Sequence, residues 1–143
     1  MEAYFAALEQ AFSDYRQDLD NYQRTHRPTE GLLGFGRSIK DDPCHERLDE
    51  RVGKSVGEMC GLAPSPEDAE RAVRLLLFRP DFETWPLSAQ WMLRAVERHS
   101  LPLIQYLSPE SAAAIYREYG DRYRRWERLP VQKTILKALK SRT

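Results

Sequence analysis

The side chains with most capacity for chemistry stand in IKDDPCHERLDERVGKSVGEMCG, residues 39–61, where Cys44 and His45 are neighbours. A cysteine in the first turn of a helix feels the positive end of the helix dipole, which favours the thiolate. Two features work against a reactive thiol. Adjacent helical side chains diverge by about 100°, so His45 does not face Cys44. Asp41 and Asp42 place negative charge beside the thiol and disfavour its ionised form. The plainer expectation is a small buried thiol under a helix start, with a surface histidine. A thiol- or metal-dependent activity at Cys44/His45 is the last of three functional readings. Cys44 and Cys60 lie 16 residues apart on one predicted helix, roughly 24 Å, too far to share a zinc ion or a disulfide unless the helix breaks at Gly53. No Cys-x-x-Cys or His-x-x-x-His spacing occurs, and neither a metal site nor a cofactor is expected.

The preceding loop, EGLLGFGRSIK, supplies Gly34, Phe35 and Gly36 with Arg37 and Lys40 nearby. Glycine-rich loops cradle phosphates when they lead from a strand into a helix in a defined pattern. Here the pattern is neither of the known ones, no strand precedes it, and Asp41 and Asp42 would repel a phosphate. Gly34, Phe35 and Gly36 are kept with Cys44 and His45 as a candidate loop and thiol site, and the glycines are read first as turn formers.

The second cluster is DRYRRWERLPVQKTILKALKSR, residues 121–142. Arg122, Arg124, Arg125 and Arg128 surround Tyr123 and Trp126, a mixture suited to phosphates and stacked bases. These four arginines and Trp126 are the candidate binding residues. At helical spacing the same stretch also offers a core stripe, Ile115, Tyr119, Tyr123 and Trp126, followed by Val131, Ile135, Leu136 and Leu139. Lys133, Lys137 and Lys140 would then point to solvent. The core reading is preferred, because nucleic-acid domains are generally basic and this chain has 22 bases against 22 acids.

That neutral total conceals polarity along the chain. Residues 1–70 carry a balance of −7 and residues 117–143 a balance of +6. Either the two ends face each other in the fold, or the basic end meets an acidic partner. A chain of 143 residues suits one domain and can bury a core without staples. No apolar run is long enough to span a bilayer. The first residues show no secretory pattern, and two cysteines fit a reducing compartment, so a cytoplasmic protein with no membrane contact is expected.

The elements that must position these residues read as helices. Met1, Phe5, Leu8, Phe12, Tyr15, Leu19 and Tyr22 recur in steps of three and four, which predicts one helix over 2–24. Residues 25–42 form a loop, and Asp42 with Pro43 opens a second helix ending at Gly61. Its glycines Gly53 and Gly57 lie on one face and would let another backbone come close; otherwise the helix breaks near Gly53. SPED at 65–68 starts a third helix reaching about Arg79. Pro86 opens a fourth, with Leu87, Trp91, Met92, Ala95 and Val96 facing inward. Leu101 to Ile104 bridges to SPES at 108–111, where the pattern restarts.

SPES lies 43 residues after SPED, and LPVQKTILKAL at 129–139 lies 44 after WPLSAQWMLRA at 85–95. Residues 65–107 and 108–143 therefore read as two helix-turn-helix units, at a period in the range of HEAT and armadillo repeats, though no sequence motif of those families is present. The expectation is one all-α domain, 1–143, of six or seven helices. Its long N-terminal helix, loop and second helix (1–61) pack on antiparallel hairpins. The preferred function is a non-catalytic helical scaffold that binds a protein partner or itself. Nucleic-acid binding through the basic C-terminal face is the alternative.

Overall fold

The computed structural model describes residues 1–25 and 44–143, and all regular structure among them is helical. Six helices have ten residues or more: α1 (Glu2–Thr25), α2 (His45–Gly61), α3 (Pro66–Leu77), α4 (Leu87–Val96), α6 (Pro109–Arg122) and α7 (Pro130–Arg142). α5 (Leu101–Ile104) is a single turn. Short 3₁₀ turns occupy Phe82–Thr84, Glu97–Ser100 and Arg125–Glu127.

Local chemistry accounts for most boundaries. Ser65 Oγ accepts from the Asp68 amide at 3.2 Å and Ser108 Oγ from the Ser111 amide at 3.1 Å, each with proline as the first helical residue. Both serines thereby satisfy a helix-start donor that would otherwise lack a partner. α3 ends at Leu77, earlier than the expected Arg79, and Pro80 lies just beyond. α2 begins at His45 with Cys44 as its capping residue. Asp42 and Pro43, expected to open it, lie outside the described residues, as does the loop that contains Gly34, Phe35 and Gly36.

α1 lies along α2, and α6 along α7. Between these pairs runs residues 97–104, which touches α2, α3, α4 and α7. This segment is the hub of the fold. α3 packs chiefly against it and against α6. The core is continuous. It takes Phe5, Leu8, Phe12, Tyr15 and Leu19 from α1, and Leu48, Val52, Val56 and Met59 from α2. Ala69, Ala72, Val73, Leu76 and Leu77 come from α3, all five as spaced in the sequence.

α4 departs from expectation. Its buried residues are Ala89, Leu93 and Val96, with Trp85 ahead of the helix, while Leu87 is 78% exposed and Trp91 48% exposed. Met92 and Ala95 are half-buried. Trp85 takes the interior place. Its ring stacks on Tyr15 with centroids 5.5 Å apart, and the Arg16 guanidinium lies 4.8 Å over it. A tryptophan brings about 150–250 Å² of apolar surface, and once Trp85 fills that space the face carrying Leu87 and Trp91 turns outward.

α2 is continuous through both of its glycines. A Cβ at Gly53 would meet His99 Cε1 at 3.1 Å, whereas one at Gly57 would meet nothing within 4 Å. Among the described residues no backbone comes close at either glycine, contrary to expectation; Gly53 instead admits the His99 side chain from the hub. Since α2 does not break, Cys44 and Cys60 are held roughly 24 Å apart, too far to share a disulfide or a zinc ion.

Candidate functional site

The basic C-terminal cluster divides in two. Arg128 is half-buried and turns back on α6, donating through Nε to the Tyr123 carbonyl at 3.0 Å and through Nη2 to the Gly120 carbonyl at 3.1 Å. It caps the C-terminal carbonyls of that helix, where a cation is favoured. Arg122 is half-buried, its guanidinium 5.0 Å over Phe82 and 5.6 Å over Tyr123. These two arginines hold the fold together.

Arg124, Arg125 and Trp126 are exposed. They form the 3₁₀ turn after α6, closed by the Glu127 amide donating to the Arg124 carbonyl at 2.8 Å. Trp126 is 77% exposed, with the Arg124 guanidinium 5.6 Å from its ring. The core stripe expected through Ile115, Tyr119, Tyr123 and Trp126 holds for the first three and fails at Trp126. α6 ends at Arg122, Tyr123 leaves it with extended backbone, and the helical phase is lost before Trp126 is reached.

Leu87 and Trp91 are also exposed. They are four apart on α4 and so share a side of it. Arg94, one turn on, joins α4 to the Trp126 turn. Its guanidinium lies 6.0 Å from the Trp91 ring and 4.7 Å from the Tyr123 ring. It donates to Gln132 Oε1 at 3.2 Å and to the carbonyl of Glu127, the residue after Trp126. Arg94 thus links α4, with Leu87 and Trp91 exposed, to the turn that exposes Arg124, Arg125 and Trp126. Leu87, Trp91 and Arg94 were not among the expected site residues. The available signal was an excess of apolar residues in α4 over what one helix face can bury.

Gln132 also belongs to the most densely bonded polar cluster. Glu97 is 2% exposed. Its Oε2 accepts from the Tyr119 hydroxyl at 2.7 Å and from Gln132 Nε2 at 2.9 Å, and its Oε1 accepts from the Tyr123 hydroxyl at 2.8 Å. Burial pushes the Glu97 carboxyl above its ordinary range, and those three hydrogen bonds hold it down only in part. Burial, together with the Glu97 charge, pushes both tyrosine hydroxyls up. The cluster fastens the hub to α6 and α7, which support Arg94 and the Trp126 turn.

Asp49 is half-buried and bonded to the hub through Arg98 Nη2 at 2.7 Å and His99 Nε2 at 2.9 Å. Burial would raise its pKa, but the hydrogen bonds from Arg98 and His99 outweigh that and hold it low. This pair ties α2 to residues 97–100. Cys44 is half-buried against the core and makes no side-chain capping bond, and His45 is half-buried beside it. Among the described residues no three His, Cys, Asp or Glu side chains are grouped to hold a metal ion, and no helix is long and apolar enough to cross a membrane.

An open groove of about 1180 Å³ separates α1 from α3, α6 and the turn before α4. Its arginines lie over aromatic faces, Arg71 on Phe5 at 4.1 Å and Arg79 on Phe12 at 4.4 Å. They are also engaged by acids, Arg71 by Glu2, Arg74 by Glu70 and Glu118, and Arg79 by Asp81. Arg16 and Arg24 also line it and donate to neutral oxygens, Arg16 to those of Thr84 and Arg24 to the Asp20 carbonyl and the Asn21 side chain.

Among the described residues the two ends of the chain do not neutralise each other by ion pairs. Acids of α1 and α2 pair with near neighbours, Asp14 with Arg51 and Asp18 with Arg47. Among the described residues no ion pair joins a base of 117–143 to an acid of 1–70. Lys133, Lys137 and Lys140 are exposed on α7, as their spacing requires.

Comparison with known proteins returned no matching family model, no matching curated protein and no matching solved structure.

Proposed function

We propose that this chain is a non-catalytic interaction module that docks a partner protein on the face formed by Leu87, Trp91 and Trp126. One observation carries the reading. Two tryptophans and a leucine stand exposed, on α4 and on the turn that Arg94 joins to it, and a buried hydrogen-bonded cluster holds α6 and α7 nearby. Exposed apolar patches with a polar rim mark interaction sites, and tryptophan and arginine dominate the binding energy of protein interfaces. The Glu97 cluster keeps α6 and α7 in place, so the tryptophans are presented with little conformational freedom left to lose on binding.

The test is site-specific photo-crosslinking in cells from positions 87 and 126. A discrete protein adduct is expected from both positions, and Trp91→Ala should abolish it. Absence of any adduct from either position would end the reading.

A second reading rests on Arg124 lying over Trp126 beside Arg125, an arrangement that can stack an unpaired base and contact its phosphate. Titration with single-stranded RNA and DNA tests it. Binding should weaken steeply with salt and vanish on charge reversal at Arg124 and Arg125. No binding at low salt removes it.

A further inference from the structure

The large apolar side chains left exposed among the described residues are four, and they fall into two patches of opposite charge. Leu87, Trp91 and Trp126 sit with Arg124 and Arg125, neither of which forms an ion pair among the described residues. The fourth, Leu62, is 62% exposed and caps the C-terminal end of α2. One turn before it stands Glu58, exposed and without an ion pair among the described residues. The last turn of α2 carries no base, so no cation of the helix itself offsets the negative end of its dipole. Gly57 and Gly61 have no atom within 4 Å of where a side chain would begin, which leaves the helix backbone open to close approach.

We propose that the two patches bind each other between copies of this chain. Trp91, Trp126 and Leu87 of one copy cover Leu62 and the open α2 backbone of the next. Arg124 and Arg125 meet Glu58 and the α2 carboxyl end. The inference rests on the docking face assigned above and names its occupant as a second copy. Three features argue for that occupant. The charges are complementary, no ion pair among the described residues joins a base of 117–143 to an acid of 1–70, and each patch has an exposed apolar anchor. The contact joins unlike surfaces, so it is head-to-tail and adds copies in series. Charge contributes to it, so it weakens as salt shortens the screening length.

Sedimentation velocity over a wide range of protein concentration tests this with the whole chain. The wild type should show an average mass that rises with concentration at low salt and falls back toward the monomer at about 0.5 M salt. Two double variants then separate the faces. Arg124→Glu with Trp126→Ser removes the basic patch, and Glu58→Lys with Leu62→Ser removes the acidic one. Each should be monomeric alone, with self-association weakened at least about 100-fold. Mixed in equal amounts they should form one discrete heterodimer, because each retains the face the other has lost. All substituted positions are exposed, and unchanged circular dichroism shows that the variants fold. A wild type that stays monomeric throughout overturns the proposal, as does a dimer lost with the Trp126 variant but kept with the Leu62 variant. Neither result touches the docking face itself, which the crosslinking experiment judges separately. A monomer whose Trp126 emission is quenched by single-stranded RNA overturns self-assembly in favour of the nucleic-acid reading.

Discussion

The Tyr119 hydroxyl donates to Glu97 Oε2 across 2.7 Å in the buried centre of the molecule. Tyr119 lies in the last part of α6 and Glu97 opens the hub turn, so this bond fixes the two elements against each other. Tyr123 and Gln132 complete the set, and three donors converge on one carboxylate. Glu97 is thereby both the chief internal brace of the α6–α7 pair and a carboxyl whose ionised form burial disfavours.

Replacing Glu97 therefore has two separable effects. Glu97→Ala leaves the tyrosine hydroxyls and the Gln132 amide without their acceptor and opens a void, and a loss of about 3–5 kcal/mol is expected. Glu97→Gln keeps the volume and costs less. The pH dependence has a definite sign. The folded carboxyl titrates above its usual value of 4.5, so the native state holds the proton where the unfolded chain has lost it. Stability from this group is full below that value and declines as pH rises into the raised range, by at most about 1.4 kcal/mol per pH unit. Urea titrations at stepped pH should show this decline in the wild type and its absence in Glu97→Gln. A decline of equal size in both proteins would assign it to another group.

The glycines of α2 should respond in opposite directions. At Gly57 a methyl group meets nothing, and the helix gains the propensity difference, so Gly57→Ala is expected to stabilise by about 0.5–1 kcal/mol. At Gly53 the same group meets His99 Cε1 at 3.1 Å. The ring must move, and it is held by its 2.9 Å contact with Asp49. Gly53→Ala is expected to lose about 1 kcal/mol net of its helix gain. Midpoints of urea unfolding check both. The pair fails if Gly53→Ala raises the midpoint as far as Gly57→Ala does.

What could be read in advance follows from how local each signal is. The stripe of α1, the five buried residues of α3 and the Ser65 and Ser108 starts depend on neighbours within a turn or two, and all were legible. α4 was not, because its ten residues include Leu87, Ala89, Trp91, Met92, Leu93, Ala95 and Val96. Apolar groups occupy most of its circumference, and periodicity cannot choose between faces. The choice is made by Trp85, which reaches Tyr15 on α1, 70 positions away. The hub was hidden for a similar reason. A glutamate and a serine read as wet, yet Glu97 finds its partners 22 to 35 residues further along the chain. Gly53 gave two readings, a backbone neighbour or a break, and the structure has neither, because the side chain of His99 arrives there from the hub.

Acid should loosen the molecule through a different set. Asp49 titrates below its usual value of 3.8 once the hydrogen bonds from Arg98 and His99 outweigh burial. Its contribution is present above that value and is lost as pH falls through the lowered range. Asp49→Asn should thus unfold at a midpoint that changes less between neutral pH and strong acid than the wild type does, and should lose about 1 kcal/mol at neutral pH. Thermal melts at stepped pH measure this, and parallel curves for the two proteins would contradict it.

The two thiols give a check on the interior near α2. Burial pushes the Cys60 thiol above its usual value of 9.0, and the carbonyl of the same residue accepts from the Tyr106 hydroxyl at 3.3 Å. In a Cys44→Ser background, alkylation of Cys60 by iodoacetamide should be slower than that of a free thiol at every pH below that value. Tyr106→Phe removes the contact over the end of α2 and should speed labelling. Alkylation at the free-thiol rate in the parent would show that Cys60 is not shielded as the structure has it.

The strongest contrast lies among the tryptophans, since the same residue type occupies opposite environments within one small fold. Trp85 is buried, stacked on Tyr15 and covered by Arg16. Truncating it removes a large apolar surface from the core, and Trp85→Ala is expected to cost about 3–5 kcal/mol. Trp126 is 77% exposed on a turn whose backbone bonds do not involve its ring, and Trp126→Ala should change stability by less than about 0.5 kcal/mol. Trp91, half in solvent against Arg94, falls between them. Iodide quenching of single-tryptophan variants should follow the same order, Trp126 most and Trp85 least. A side chain that costs nothing to remove from the fold, yet whose removal ends association, is held in place for binding. A large stability loss at Trp126 would instead return it to the core and dissolve the docking face.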